Sequence, residues 1–121
     1  MKTARDIMTT PAETLAPTAT LTEAAQQLRD LNVGSLPILD GDHLLGVVTD
    51  RDIVVRGIAE GLDPSSATVA EVATGAVVTV DVDDDAEKVA RIMGERQVRR
   101  VPVLDGGRLV GVIAQADVAR D

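Results

Sequence analysis

The feature that most constrains this chain is an internal repeat with an offset of 65 residues. Residues 37–52, PILDGDHLLGVVTDRD, return without a gap at residues 102–117 as PVLDGGRLVGVIAQAD, and eight of the sixteen positions are identical. The same offset joins residues 3–56 to residues 68–121 with thirteen identities. Because a unit of this size is too small to bury its own apolar face, we expect each copy to pack on the other.

The repeat predicts the organisation of the chain. We expect residues 1–60 to hold the first copy with an N-terminal helix, residues 61–68 to connect the copies, and residues 69–121 to form the second copy. Each copy is predicted to fold in the order β-α-β-β-α, so the fold class is α/β, or α+β in some schemes. The first strands are predicted within residues 13–15 and 76–80.

Helix and hairpin signals support this order. Thr20 and Glu23 have the spacing of a capping box, and Asp85 takes the corresponding position in the second copy. Asp-Gly between two apolar runs, at residues 40–41 and 105–106, is typical of a hairpin turn. The positions predicted to lie on the apolar face of the first long helix are Leu21, Ala24, Ala25, Leu28 and Leu31.

Composition excludes several classes of function. The net charge of −8 disfavours binding to a phosphate backbone, and without Phe, Tyr or Trp the chain cannot bind bases by aromatic stacking. Without Cys there is no disulfide or thiolate, and no apolar run reaches the roughly 20 residues of a membrane span. We therefore expect a cytoplasmic protein that binds neither nucleic acid nor membrane.

The repeated pattern Pro-[Ile/Val]-Leu-Asp-Gly, then Leu-x-Gly-Val and a closing Asp, resembles the cystathionine β-synthase (CBS) domain. Two such domains in tandem form the pair called a Bateman module, and the TDRDIV and QVRRVPV segments are similar to free-standing CBS-pair proteins of actinobacteria. The resemblance implies a regulatory or sensor module, often a homodimer. It also implies two repeats related by a pseudo-two-fold axis, with clefts between them that in many members hold AMP, ADP, ATP or S-adenosylmethionine.

In ligand-binding members of the family a [Ser/Thr]-x-x-Asp motif follows the third strand, and Thr49 and Asp52 match it in full. One carboxylate can accept both hydroxyls of a ribose, and a threonine hydroxyl can donate to a phosphate. The second copy keeps the carboxylate as Asp117 but has Ala114 in place of the hydroxyl. The alternative is that Thr49 and Asp52 only cap a helix.

Arg99 and Arg100 lie where the family often places a phosphate-facing base, and their counterparts Gly34 and Ser35 carry no charge. The second cleft is therefore predicted to take a phosphorylated ligand, and the first a neutral or weakly bound adenosyl group. The arginines could instead be a solvated surface patch, and Gly34 and Ser35 could be a turn rather than an approach for adenine.

Thr14 and Thr79 match positions near which the family's adenine often forms hydrogen bonds, although threonine is also a common strand residue. The residues predicted to bind ligand are Thr14, Gly34, Ser35, Pro37, Thr49, Asp52, Thr79, Arg99, Arg100, Pro102 and Asp117.

No catalytic or metal residues are predicted. The acidic residues at 81 and 83–85 lack the ligand spacing of a calcium loop and precede a helix that favours a carboxylate cap. His43 is the only histidine and lies in a predicted turn without a second imidazole or thiol. No catalytic triad or glycine-rich phosphate loop can be assembled, so an enzyme is not expected.

The leading hypothesis is a regulatory module in which an adenosine-containing ligand alters recognition of an unknown protein partner. The alternative is a ligand-free, stress-associated dimer that acts as an interaction protein. A third interpretation is a fragment of a larger enzyme or transporter; Met1 and the capped first helix favour an independent protein over this interpretation.

Overall fold

The structure is a computed structural model that describes residues 1–75 and 78–119. The helices are α1 (Ala4–Ile7), α2 (Leu21–Leu31), α3 (Asp50–Asp52), α4 (Val69–Val72), α5 (Ala86–Arg96) and α6 (Gln115–Ala119), and a π-helical segment (Ile53–Ile58) follows α3. The strands are β1 (Ser35–Asp40), β2 (His43–Thr49), β3 (Val80–Asp81), β4 (Arg100–Asp105) and β5 (Arg108–Ala114). The mixed fold of helices and strands is confirmed.

The chain forms two compact units. One comprises residues 13–77, and the other comprises residues 1–12 together with residues 78–121. We call them the first unit and the second unit. Their limits differ from those of the sequence repeats, since residues 1–12 belong to the same unit as the second copy.

Capping boxes define where the helices begin. At α2 the Thr20 N–H donates to Glu23 Oε1 at 2.9 Å and the Glu23 N–H donates to Thr20 Oγ1 at 3.1 Å. The backbone bond from Thr20 lowers the pKa of the Glu23 carboxyl. At α5 Asp85 accepts from the Lys88 N–H at 2.8 Å. The caps predicted at Thr20 and Asp85 are therefore confirmed.

Each unit contains an antiparallel hairpin that turns at the predicted Asp-Gly. Strands β1 and β2 pair around Gly41, whose φ is 62°, and β4 and β5 pair around Gly106, whose φ is 60°. A positive φ costs glycine little, which explains the residue type at the turn.

The predicted first strands are shorter than expected. In the first unit a single parallel bridge joins Leu15 to Ile38, with the Leu15 N–H donating to the Pro37 carbonyl at 2.9 Å. Proline has no N–H with which to extend this ladder toward residue 13. In the second unit β3 runs parallel to β4, and residues 76–77 of the predicted strand lie outside the described residues.

A short segment pairs with the outer edge of each hairpin. Thr74 exchanges two backbone hydrogen bonds with Val47, and Thr9 exchanges two with Val112. The β2 edge therefore has a partner within the first unit, and the β5 edge has one within the second. Gly46 in β2 lets the Thr74 carbonyl approach closely.

Each unit has its own apolar core. Fully buried side chains in the first unit include Leu21, Ile38, Val48, Val69 and Val72, and those in the second include Val82, Val89, Val101, Val103 and Ile113.

The apolar face of α2 is narrower than predicted. Leu21, Ala24 and Leu28 are buried, but Ala25 and Leu31 are exposed. At 100° per residue these two positions flank the buried stripe rather than lie on it. Among the described residues, no helix is both long enough and apolar enough to cross a membrane.

Candidate functional site

Thr49 and Asp52 form a reciprocal cap where β2 passes into α3. The Thr49 N–H donates to Asp52 Oδ2 at 3.0 Å, and the Asp52 N–H donates to Thr49 Oγ1 at 2.9 Å. The Asp52 residue is 8% exposed. The capping role that the sequence left open is therefore present in the structure, and it holds the carboxylate in one orientation.

The cap leaves binding capacity on both side chains. Within the described part of the chain, the Asp52 carboxylate bonds only through Oδ2. Its Oδ1 atom forms no hydrogen bond there, and a carboxylate oxygen can accept two. The Thr49 hydroxyl is an acceptor in the cap, so its proton is still available for donation.

The other predicted residues of the first copy surround this cap. Ser35 lies directly opposite Thr49 in the β1–β2 register, and the Gly34 carbonyl accepts from the Asp50 N–H at 3.0 Å. The Asp50 carboxylate oxygen Oδ2 lies 3.6 Å from the point that a Cβ atom on Gly34 would occupy.

Thr14 and Pro37 lie along the same strand pairing. The Thr14 carbonyl accepts from Gln27 Nε2 at 3.5 Å, and the next residue, Leu15, bonds to the Pro37 carbonyl. In the first unit Ser35 and Pro37 thus lie on β1, Thr49 on β2 and Asp52 on α3. Gly34 directly precedes β1, and Thr14 directly precedes the bridge residue Leu15.

The second unit repeats this arrangement with altered chemistry. Asp117 Oδ2 accepts from the Ala114 N–H at 2.8 Å, but Ala114 has no hydroxyl to complete the box. Arg100 lies opposite Ala114, and the Arg99 carbonyl accepts from the Gln115 N–H at 2.8 Å. Asp117 is half-buried rather than buried.

Thr79 and Pro102 occupy the remaining equivalent positions. Thr79 is half-buried and immediately precedes β3, where Val80 pairs with Val103. Pro102 is buried in β4, opposite Val112. We call the two sets of residues the first and second half-sites, one in each unit.

The arginines of the second half-site are available as cations. Arg99 is exposed and Arg100 is half-buried, and within residues 1–75 and 78–119 their side chains form no ion pair. Arg5, by contrast, pairs with Asp105 at 3.4 Å. A free guanidinium with several N–H donors is suited to a phosphate group.

Asp50 is not among the residues predicted from the sequence to bind ligand, although its carboxylate lies beside Gly34. Its position inside the Thr-x-x-Asp motif was the available signal, but only the backbone bond from Asp50 to Gly34 shows that the two meet.

The acidic residues before α5 take part in capping. Asp84 accepts from the Asp81 N–H at 2.9 Å and from Lys88 Nζ at 2.9 Å, and these two bonds lower the pKa of its carboxyl. Throughout the described residues, no three His, Cys, Asp or Glu side chains are grouped so that they could hold a metal ion.

Comparison with known proteins decides the family. Residues 4–57 and 69–121 each match the CBS domain. The chain belongs to the CBS domain family. It is a CBS pair, as the repeated motif predicted, and CBS pairs are generally regulatory modules rather than enzymes.

Among curated proteins, this CBS pair is 47% identical to Hypoxic response protein 1 of Mycobacterium tuberculosis, over 99% of this chain and 85% of that protein. The predicted similarity to free-standing actinobacterial CBS pairs is thereby confirmed.

Solved structures extend the comparison. A crystal structure of Hypoxic Response Protein I with two coordinated zinc ions matches with a TM-score of 0.88 at 47% identity, over 99% of this chain and 98% of that one. CBSX2 in complex with AMP matches with a TM-score of 0.85 at 26% identity, over 99% and 95% of the two chains. The CBS pair of MJ0100 with 5′-methylthioadenosine and S-adenosyl-L-methionine matches with a TM-score of 0.84 at 30% identity, over 99% of this chain and 94% of that one.

Proposed function

We propose that this CBS pair is a sensor that binds an adenosine-containing ligand through Asp52 and Asp117. The observation that carries the proposal is the Asp52 carboxylate, which is held by the Thr49 N–H through Oδ2 and forms no hydrogen bond through Oδ1 within the described residues. Asp117 is held in the same way by the Ala114 N–H. A fixed carboxylate accepts the paired hydroxyls of a ribose without having to be ordered first.

Solved relatives support an adenosine compound as the ligand. CBSX2 was crystallised with AMP, and MJ0100 with 5′-methylthioadenosine and S-adenosyl-L-methionine. Adenine and ribose are common to all three compounds. This chain has no aromatic residue, so an adenine ring would pack against aliphatic side chains and backbone.

The zinc ions belong to the structure of Hypoxic Response Protein I. This sequence has one His and no Cys, and the described residues offer no group of three metal-binding side chains.

Ligand binding acts as a signal only if it changes how the CBS pair meets a partner. A second copy of the chain is one candidate partner, because Val54, Val55 and Ile58 on the π-helical segment are 58%, 42% and 51% exposed. Apolar side chains grouped on one surface are typical of an interface. The same surface favours a second candidate function, a ligand-free dimer that acts only as an interaction protein.

Titration calorimetry distinguishes the two functions. Purified protein is titrated with AMP, ADP, ATP, S-adenosylmethionine, 5′-methylthioadenosine and NAD, and sedimentation is measured with and without each compound. The sensor predicts saturable heat with at least one adenosine compound. If every compound gives no heat and the protein sediments as a dimer throughout, the sensor proposal is wrong and the ligand-free dimer is supported.

A further inference from the structure

We infer that Asp50 determines the charge of the ligand at the first half-site, disfavouring phosphate and favouring a neutral or cationic adenosine compound, whereas the second half-site accepts a phosphorylated one. This inference rests on the proposed function and adds the ligand class of each half-site.

The position of Asp50 supports the inference. It directly follows Thr49, its N–H donates to the Gly34 carbonyl, and its Oδ2 atom lies 3.6 Å from where a Gly34 Cβ would be. Its Oδ1 atom accepts from the Arg51 N–H at 2.8 Å, which fixes the side chain. A substituent that extends from a ribose on Asp52 toward Gly34 and Ser35 would therefore meet a negative charge.

The equivalent positions in the second unit carry the opposite preference. Gln115 replaces Asp50 and makes the same backbone bond, to the Arg99 carbonyl. Arg100 takes the place of Ser35. Ser35 lies opposite Thr49 in the β1–β2 pair, and Arg100 lies opposite Ala114 in the β4–β5 pair. A substituent at this half-site would meet guanidinium groups and a neutral amide, which favour a phosphate.

The charge of each whole unit adds to the local difference. The first unit, residues 13–77, contains three Lys or Arg and ten Asp or Glu. The second unit, residues 1–12 and 78–121, contains nine Lys or Arg and ten Asp or Glu. The first unit thus has the more negative potential, which disfavours anionic ligands.

Arg51 is the group that could oppose this effect, because it is an exposed cation beside Asp50. Successive residues of a helix point about 100° apart, so Arg51 does not share the direction of Asp50. The three atoms nearest to the Gly34 Cβ position all belong to Asp50.

Asp117→Asn removes the carboxylate charge of the second half-site, so that binding at the first half-site can be measured alone. In this background, AMP and 5′-methylthioadenosine are titrated before and after Asp50→Gln. We expect Asp50→Gln to strengthen AMP binding about tenfold at low salt, the effect of one charge on a phosphate dianion across ~6 Å of water. Binding of the uncharged 5′-methylthioadenosine should change less than twofold.

Two control variants make the result specific. Glu60→Gln removes an equal charge from an exposed position in the same unit and should change both affinities less than twofold. Arg51→Gln should weaken AMP binding by less than twofold. If it weakens AMP binding by about as much as Asp50→Gln is expected to strengthen it, Arg51 attracts the phosphate and the inference is overturned.

A reciprocal arm tests the second half-site. In an Asp52→Asn background, Arg100→Ser should weaken AMP about tenfold and leave 5′-methylthioadenosine unchanged, and titration with inorganic phosphate tests whether the arginines bind phosphate without adenosine. Equal effects of Arg100→Ser on AMP and 5′-methylthioadenosine would overturn this half of the inference.

Failure of the inference differs from failure of the proposed function. If both compounds bind the Asp117→Asn protein and Asp50→Gln changes neither affinity, only the charge selection is wrong. If the wild-type protein binds no adenosine compound, the proposed function is wrong as well. If binding persists in the wild type but is absent from the Asp117→Asn protein, the first half-site binds no ligand and the inference is wrong.

Discussion

Replacing Asp52 and Asp117 together by asparagine should weaken binding of an adenosine compound by about 10- to 100-fold while the protein stays folded. Each asparagine can keep its amide oxygen on the backbone N–H that now bonds to Oδ2, from Thr49 or from Ala114. The other carboxylate oxygen becomes an NH₂ group, which cannot accept a hydrogen bond from ribose. A charge-assisted bond contributes about 1.5–3 kcal/mol, and this range sets the size of the loss.

Thr49→Ala is the matched control for this double variant. It removes the hydroxyl that accepts from the Asp52 N–H, so we expect a loss of about 1 kcal/mol of stability. The Asp52 carboxylate remains, and the affinity for 5′-methylthioadenosine, which has no phosphate, should stay within a few-fold of wild type. If Thr49→Ala weakens binding as much as the double asparagine variant does, the effect comes from the cap and not from the carboxylate.

Gly46→Ala should destabilise the first unit by about 1–3 kcal/mol, the usual cost of overpacking. A Cβ atom at this position would lie 2.6 Å from the Thr74 carbonyl oxygen. That oxygen belongs to the backbone and accepts from the Val47 N–H, so it cannot move aside as a side chain could. Thermal unfolding should show a midpoint several degrees below that of the wild type.

Gly94→Ala is the opposite case and serves as the control. Gly94 lies within α5, and a Cβ atom there would meet nothing within 4 Å. Alanine favours a helix over glycine by about 1 kcal/mol, so this variant should raise the midpoint. A Gly46→Ala protein as stable as wild type would show that Thr74 does not pack on β2 as described.

The sequence predicted the elements well because their signals are local. The caps at Thr20 and Asp85 and the Asp-Gly turns at 40–41 and 105–106 depend on residues only a few positions apart. The hairpin turn also fixes the register, so that Ser35 meets Thr49 and Arg100 meets Ala114. This is why the strand neighbours of the predicted site residues within one repeat could be predicted, whereas their role in binding stays a prediction.

Longer-range features were not predictable in the same way. The repeat pattern assigns residues 1–12 to the first copy, but they pack with residues 78–121, because Thr9 pairs with Val112 and the Ala4 N–H bonds to the Asp84 carbonyl. Sequence identity between copies does not show which copy a segment contacts.

The π-helical form of residues 53–58 is a further feature that the sequence does not predict. The order β-α-β-β-α places a helix after β2, but it does not specify the bonds from the Ala59 N–H to Val54 O and from the Leu62 N–H to Gly57 O, each five residues apart. Over a span this short, α- and π-helices place apolar residues alike, so the pattern does not separate them.

Capping and the proposed ligand binding use the same residues of this protein, so the motif alone cannot separate them. Thr49 and Asp52 satisfy the capping pattern completely, and only the full set of hydrogen bonds in the described residues shows that Asp52 Oδ1 forms none.

Native mass spectrometry shows whether Asp52 and Asp117 hold an adenosine compound on this protein. The wild-type protein and the Asp52→Asn, Asp117→Asn double variant are purified gently, mixed with each adenosine compound at equal concentration and compared. The account predicts a mass increase equal to at least one adenosine compound on the wild type and a much smaller bound fraction on the double variant. Wild-type protein that carries no adenosine compound, either as purified or after mixing, would contradict it.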